Sequence, residues 1–165
     1  MNWYVLYTKP RNEKIVAESL QNIGLETYCP VLKTERKWSD RKKMVEEPLF
    51  RSYVFVRLEE HLRNKVFAVP GVVRYLFWLE KPAIVKDKEI TTIKNMLSDF
   101  EHSDILTEQF EAKDRIKLKS GPLMDIEGRV KYQNGHKIEV LLPSLQLKLV
   151  VDTRRTKVSK LGKGS

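Results

Sequence analysis

The chain has 165 residues, room for one domain or two small ones; 41% are hydrophobic and 32% charged, with both signs interspersed. That balance permits a packed core and argues against a disordered polyelectrolyte. The net charge of +9 favours polyanionic partners, nucleic acid or the ribosome, and the lone Cys29 excludes an internal disulfide framework. No apolar run reaches the roughly 18 residues that a membrane span needs, and the N-terminus lacks a signal-peptide core. A soluble cytoplasmic protein with no membrane partner is expected.

Residues 2–8 are rich in strand-favouring types and stop at Lys9-Pro10. From Arg11 the period turns helical through Val16, Leu20 and Ile23, and Gly24 marks the helix end. Residues 25–38 and 44–50 read as extended segments joined by the polar turn Ser39-Asp40-Arg41-Lys42-Lys43. Residues 52–58 read as a strand whose faces differ. Val54, Val56 and Leu58 form ordinary core; Arg51, Tyr53, Phe55 and Arg57 mix rings with cations, which suits a partly exposed surface. A short helix over residues 59–68 and a strand over 72–79 follow. From Asp87 the spacing of Ile90, Ile93, Leu97 and Phe100 is helical, with Asp87 as N-cap.

Residues 1–100 therefore read as a compact α+β domain. Residues 101–112 hold four acids (Glu101, Asp104, Glu108, Glu111), no Lys or Arg and no clear period, and read as an acidic linker. Residues 113–165 carry 13 basic against 5 acidic residues. They read as short strands at 116–119, 126–132, 137–142 and 147–151, punctuated by Gly121-Pro122, Gly128, Asn134-Gly135 and Pro143. Asn-Gly between alternating runs is a strong hairpin signal, and such a pattern suits a small closed barrel.

Five motifs in order and in register carry a resemblance. Trp3-Tyr4-Val5-Leu6-Tyr7, Phe50-Arg51-Ser52-Tyr53-Val54-Phe55-Val56, Val69-Pro70-Gly71-Val72, Lys81-Pro82-Ala83-Ile84-Val85 and the KOW-like stretch from Ser120 to Val130 together resemble the NusG family of bacterial transcription elongation factors. Arg51 replaces the usual Pro, and Asp125 stands where Gly is frequent. The stretch Tyr28 to Phe50 is more similar to the specialised paralogues, RfaH and the UpxY antiterminators of polysaccharide operons. The resemblance implies an N-terminal NusG-like domain, an antiparallel sheet with flanking helices, followed by a small SH3-like β-barrel KOW domain. It also implies a non-enzymatic, monomeric regulator without cofactor that binds RNA polymerase and reduces pausing and termination.

Carried over by position, the polymerase clamp helices would meet Tyr7, Phe50, Tyr53, Phe55 and Trp78; desolvated aromatic anchors supply most of a small interface's energy. Filling a core beneath a helix is the alternative for these rings. A second polymerase contact would fall near Leu62-Arg63-Asn64, although the hydroxyl-rich triplet of RfaH-type members is missing and a solvated helix face serves equally. Lys9, Arg11, Lys14, Arg41, Lys42 and Lys43 could track the non-template DNA strand by neutralising phosphates. Trp38, if exposed, could stack an unpaired base; a solvated charge run with Trp38 packed inward is the alternative. The KOW domain would dock Rho or a small-subunit ribosomal protein, and its breakers Gly121, Pro122, Gly128, Gly135 and Pro143 oppose a helical alternative fold.

Catalysis has little support. His61, His102 and His136 lack ligand-spaced partners, no glycine loop cradles phosphate, Cys29 reads as a small apolar residue, and Asp40 and Asp125 read as turn formers. A KOW-bearing ribosome-associated or RNA-binding protein without polymerase contact is the competing reading.

Overall fold

The structure is a computed structural model describing residues 1–115, 124–126, 129–152 and 154. It divides into two compact units, Met1–Asp87 and Lys88–Ser165. This division falls earlier than residue 100, where the sequence suggests a boundary.

In the first unit β1 (Asn2–Thr8) is the centre of an antiparallel sheet ordered β2-β5-β1-β6, with β9 also on β1. Its partners are β2 (Glu26–Tyr28), β5 (Tyr53–Leu58), β6 (Val72–Tyr75) and β9 (Ile84–Val85). Helix α1 (Glu13–Asn22) buries Val16, Ala17 and Leu20 against Tyr4, Leu6, Val54 and Val56 of that sheet. Ile23, expected on the same stripe, is 47% exposed because the helix has already ended. Gly24 adopts φ +90, and Leu25 N–H returns to the Leu20 carbonyl at 3.1 Å. The expected short helix is a 3₁₀ helix, Glu60–Ala68, which buries Val66.

Two hairpins leave the sheet. β3 (Val31–Trp38) and β4 (Arg41–Pro48) pair along their whole length. The turn is only Ser39-Asp40, so Arg41, Lys42 and Lys43 lie on a strand and not in the expected five-residue turn. β7 (Phe77–Trp78) and β8 (Lys81–Pro82) make a small second hairpin. The single strand expected over 72–79 is thus split at Leu76, whose N–H instead bonds the Val5 carbonyl at 2.8 Å.

Helix α2 (Asp87–Asp99) buries Ile90, Ile93 and Met96. The second unit holds an antiparallel sheet ordered β10-β14-β13-β12-β11. These strands are β10 (Ile105–Gln109), β11 (Met124–Ile126), β12 (Arg129–Asn134), β13 (Lys137–Leu142) and β14 (Leu147–Asp152). β10 lies inside the stretch expected as a linker; its pairing with β14 gives residues 105–109 a structure their own period does not announce. The Asn134-Gly135 signal does mark a hairpin, but Asn134 is the last paired residue, opposite Lys137, and Gly135 takes φ +60. The expected strand 116–119 and the motif residues Ser120, Gly121, Pro122, Leu123, Glu127 and Gly128 lie outside the described residues.

Lys148 is 1% exposed in this sheet. Its Nζ donates to Asp114 Oδ2 at 3.1 Å and Glu139 Oε1 at 3.2 Å, with Glu108 3.8 Å away. A buried ammonium is tolerable only with such partners.

Candidate functional site

Strand register assembles an aromatic cluster on the sheet face turned away from α1. β1 and β5 set Tyr7 opposite Tyr53 and Val5 opposite Phe55; β2 sets Tyr28 beside Phe55, and β6 sets Arg74 beside Tyr7. Directly opposed residues share a face, so these side chains project together. Tyr7 meets Tyr53 edge-on with ring centroids 5.3 Å apart. Phe50 touches Tyr53 at 6.4 Å and Phe55 at 6.0 Å, and Tyr28 stacks on Phe55 at 6.2 Å. The Arg74 guanidinium sits 4.8 Å from the Tyr7 ring centre, a cation–π contact.

Depth divides the cluster. Phe55 is fully buried and Phe50 is 3% exposed, whereas Tyr7, Tyr28 and Tyr53 are half-buried and Arg74 is exposed. The expectation of a partly exposed face from 51 to 57 therefore fails at Phe55. Phe50, from the turn just before β5, and Tyr28, brought in from β2, seal it. Burial pushes the Tyr53 hydroxyl pKa up, the neighbouring Tyr7 adds to this, and Arg74 opposes it. Burial likewise raises Tyr28 to about 12. Burial, then the Glu13 charge, raises the Cys29 thiol to about 11 against the opposing pull of Lys14, so the thiol is protonated at neutral pH.

Trp78 is elsewhere. It is 50% exposed on the β7–β8 hairpin beside exposed Phe77 and Leu79, and it takes no part in these ring contacts. The tip residues Leu79 and Glu80 both take left-handed φ, 51 and 67, where side chains are strained.

The β3–β4 hairpin carries the cations. Trp38 opposes Arg41, and Arg36 opposes Lys43, on one face; Lys37 opposes Lys42 on the other. Trp38 is 59% exposed, so it is not packed inward. Lys14 bonds Glu46 at 2.9 Å, Lys33 lies 3.9 Å from Glu46, and Arg36 pairs with Glu47. Those acids lie toward the root, which leaves the tip strongly basic. Lys14, expected on nucleic acid, thus ties α1 to the hairpin. Lys9 and Arg11 are exposed where β1 ends, Arg11 with φ 68.

The family model for the transcription termination factor NusG matches residues 1–94, more than half of the chain. The chain belongs to the NusG family. It is similar to the transcription termination/antitermination protein NusG of Borreliella burgdorferi, 20% identical over 147 residues that cover 78% of this chain and 80% of that protein. The NusG of Vibrio cholerae is 25% identical over 140 residues, covering 78% and 77%, and that of Pasteurella multocida 25% over 148 residues, covering 81% of each. A solved structure on domain interaction in Thermotoga maritima NusG aligns over 94% of this chain and 96% of its own at 20% identity, with a TM-score of 0.44. The chain is accordingly a NusG-type transcription termination/antitermination factor and not an enzyme. Family membership implies RNA polymerase binding. No helix among the described residues is long and apolar enough to cross a membrane.

Of the residues considered for a second polymerase contact, Arg63 is engaged locally. Its Nε donates to the Glu60 carbonyl at 3.3 Å and its guanidinium lies 6.0 Å from the Tyr4 ring. Asn64 is exposed. Sequence reasoning missed Arg74 and Tyr28. Both share the face of Tyr7 and Tyr53 only through pairing of β6 with β1 and of β2 with β5; for Arg74, the alternation Val73-Arg74-Tyr75 was the available signal.

Proposed function

We propose that this NusG-family chain grips the polymerase clamp helices with Tyr7 and Tyr53, with Phe50 and Phe55 as the buried bed beneath them and Trp78 as an outlying contact. What carries this reading is the pair of half-buried tyrosines, edge to face over sealed phenylalanines and flanked by exposed Arg74. Such a rigid, partly desolvated ring platform is the kind of anchor that dominates an interface. Arg63 and Asn64 would add a minor contact at most.

The hairpin tip, Trp38 with Arg41, Lys42 and Lys43, joined by Lys9 and Arg11, follows the non-template DNA strand: cations take the phosphates and the exposed indole stacks an unpaired base. Stacking grips the displaced strand without choosing its sequence. Service to selected operons such as polysaccharide loci rests instead on the likeness of residues 28–50 to the UpxY and RfaH paralogues. Residues 113–165 act as the KOW module, a small barrel that docks Rho or a small-subunit ribosomal protein. By holding the clamp and guiding upstream DNA, the factor makes pausing and termination rarer.

An elongation assay with purified polymerase tests the proposal on templates with and without a candidate leader. Wild type should extend transcripts through pause sites, and Tyr7→Ala/Tyr53→Ala should be inert. Lys42→Ala/Lys43→Ala should still be captured by polymerase but lose protection of the displaced strand. Polymerase capture indifferent to both tyrosines would refute the docking face.

A further inference from the structure

We infer that Glu13 is a positioning residue that holds the aromatic docking turn in shape; this rests on the proposed role of the Tyr7–Tyr53 platform. Glu13 opens α1, yet it is 4% exposed where an acid in a first helical turn would ordinarily face water. Its Oε1 accepts a hydrogen bond from the backbone N–H of Ser52 at 2.8 Å, across 39 residues of sequence. Ser52 is left-handed, with φ 64, and its carbonyl accepts from Thr8 N–H at 2.9 Å. Both backbone polar groups of this unfavourable residue are thus occupied, one by the start of α1 and the other by the end of β1. Ser52 lies between Phe50 and Tyr53, and Tyr53 N–H closes the turn onto the Phe50 carbonyl at 3.3 Å.

Chemistry explains the choice of a carboxylate. An L-residue at positive φ reverts to right-handed or extended backbone unless its surroundings over-determine it. A charged acceptor makes a stronger bond to an amide than a neutral one, and the α1 N-terminus favours negative charge at that place. An apolar residue would fill the same volume more cheaply than a buried acid. The acid is therefore explained by the turn it holds, and the turn sets where the Tyr53 ring stands relative to Tyr7.

The test uses the full chain, with Glu13→Gln, Glu13→Ala, Leu20→Ala and Tyr53→Ala. Hydrogen exchange of the Ser52 amide reads the bond itself, polymerase affinity reads the platform, and melting reads the fold. Glu13→Ala should speed Ser52 exchange and weaken polymerase binding by about tenfold or more. Glu13→Gln, which retains an acceptor oxygen, should stay within about threefold of wild type, since it forfeits only the charge assistance. Leu20→Ala removes a fully buried core side chain and should melt earlier while keeping polymerase affinity. If Glu13→Ala does not fold, Glu13→Asp carries the same expectation, because it keeps the charge but draws the carboxylate back by one methylene. Unchanged Ser52 exchange would overturn the inference. So would wild-type polymerase affinity in Glu13→Ala while Tyr53→Ala has lost it. If Tyr53→Ala also binds normally, the docking proposal has failed, and Ser52 exchange alone then decides whether Glu13 holds the turn.

Discussion

Truncating Tyr53 and truncating Phe55 should produce opposite phenotypes, although the two rings sit two residues apart on one face of β5. Phe55 is fully buried, opposite Val5 and between the Phe50 and Tyr28 rings. Phe→Ala at such a site costs about 3–5 kcal/mol through lost transfer energy and the cavity left behind. Against a total stability of about 5–15 kcal/mol, and with about 4–8 °C of melting shift per kcal/mol for a unit this size, Phe55→Ala should lower the melting midpoint by more than about 12 °C. Tyr53 is half-buried and its main partner is the Tyr7 edge at 5.3 Å. An edge-to-face pair adds about 0.5–1.5 kcal/mol beyond burial, so Tyr53→Ala should lose about 1–2 kcal/mol of stability and leave the fold intact. Its interface cost, by contrast, should be about 2 kcal/mol or more, roughly thirtyfold in Kd. Calorimetry and equilibrium capture by purified polymerase separate the two. If Tyr53→Ala melts as early as Phe55→Ala, with unchanged affinity once refolded, Tyr53 is a core ring and the division of the cluster by depth is wrong.

Trp38→Ala should weaken binding of a short single-stranded DNA by about 1–3 kcal/mol, the worth of one stacked base. Lys42→Ala/Lys43→Ala should reduce the slope of log K against log salt by about 1.4, two phosphates on a single strand, as read by fluorescence titration at several ionic strengths. Gly71→Ala should destabilise the first unit by more than about 1 kcal/mol in denaturant titrations, because Gly71 has φ +98 and an added Cβ would meet Val16 Cγ2 at 2.9 Å. In the second unit, burial acts to lower the pKa of Lys148, but its hydrogen bonds to Asp114 and Glu139 outweigh that and hold it above the ordinary lysine value. A folded pKa above the unfolded one means that the network stabilises fully below about pH 10.4 and is lost as pH rises through the folded value. Lys148→Met should therefore melt earlier at neutral pH, where two carboxylates lose their buried cation, and should show a flatter decline above pH ~10 by circular dichroism.

The parts of the fold legible in the sequence are those whose period reflects burial on one side. Val54, Val56 and Leu58 alternate because α1 covers their face, and Val16 and Leu20 repeat because the sheet covers theirs. Where burial comes from remote segments the local pattern misleads. Phe55 between Arg51 and Arg57 reads as surface, but Phe50 and Tyr28 close over it. Glu108 reads as one acid in a linker, but β10 pairs it directly across from Lys148. Nothing in the local pattern singles out Glu13, whose partner is the amide of left-handed Ser52. Arg41, Lys42 and Lys43 read as turn residues because an exposed hairpin carries no apolar alternation, even though their backbone is a strand. For Phe55, Glu108 and Glu13 a deciding partner (Tyr28, Lys148 and Ser52) is far away in sequence, and charge or exposure at one position carries no trace of it.

The same long-range pairing links the two halves of the proposed activity. The hairpin departs from β2 just after Tyr28, which stacks on Phe55, and returns at Phe50, which touches both Tyr53 and Phe55. At its base Leu49 N–H bonds the Pro30 carbonyl at 2.9 Å, and Lys14 binds Glu46 from α1. Both roots of the hairpin thus belong to the ring cluster, and its lower part is braced by ion pairs while its tip stays cationic. Arms of 8 residues at about 3.3 Å each reach about 25 Å from root to tip. On the proposed reading, a polymerase held at Tyr7 and Tyr53 therefore finds Trp38 and its cations at a set distance rather than on a free tether. Docking then confines the reader to a short reach from the anchor, which lowers the entropy cost of the DNA contact relative to a free tether.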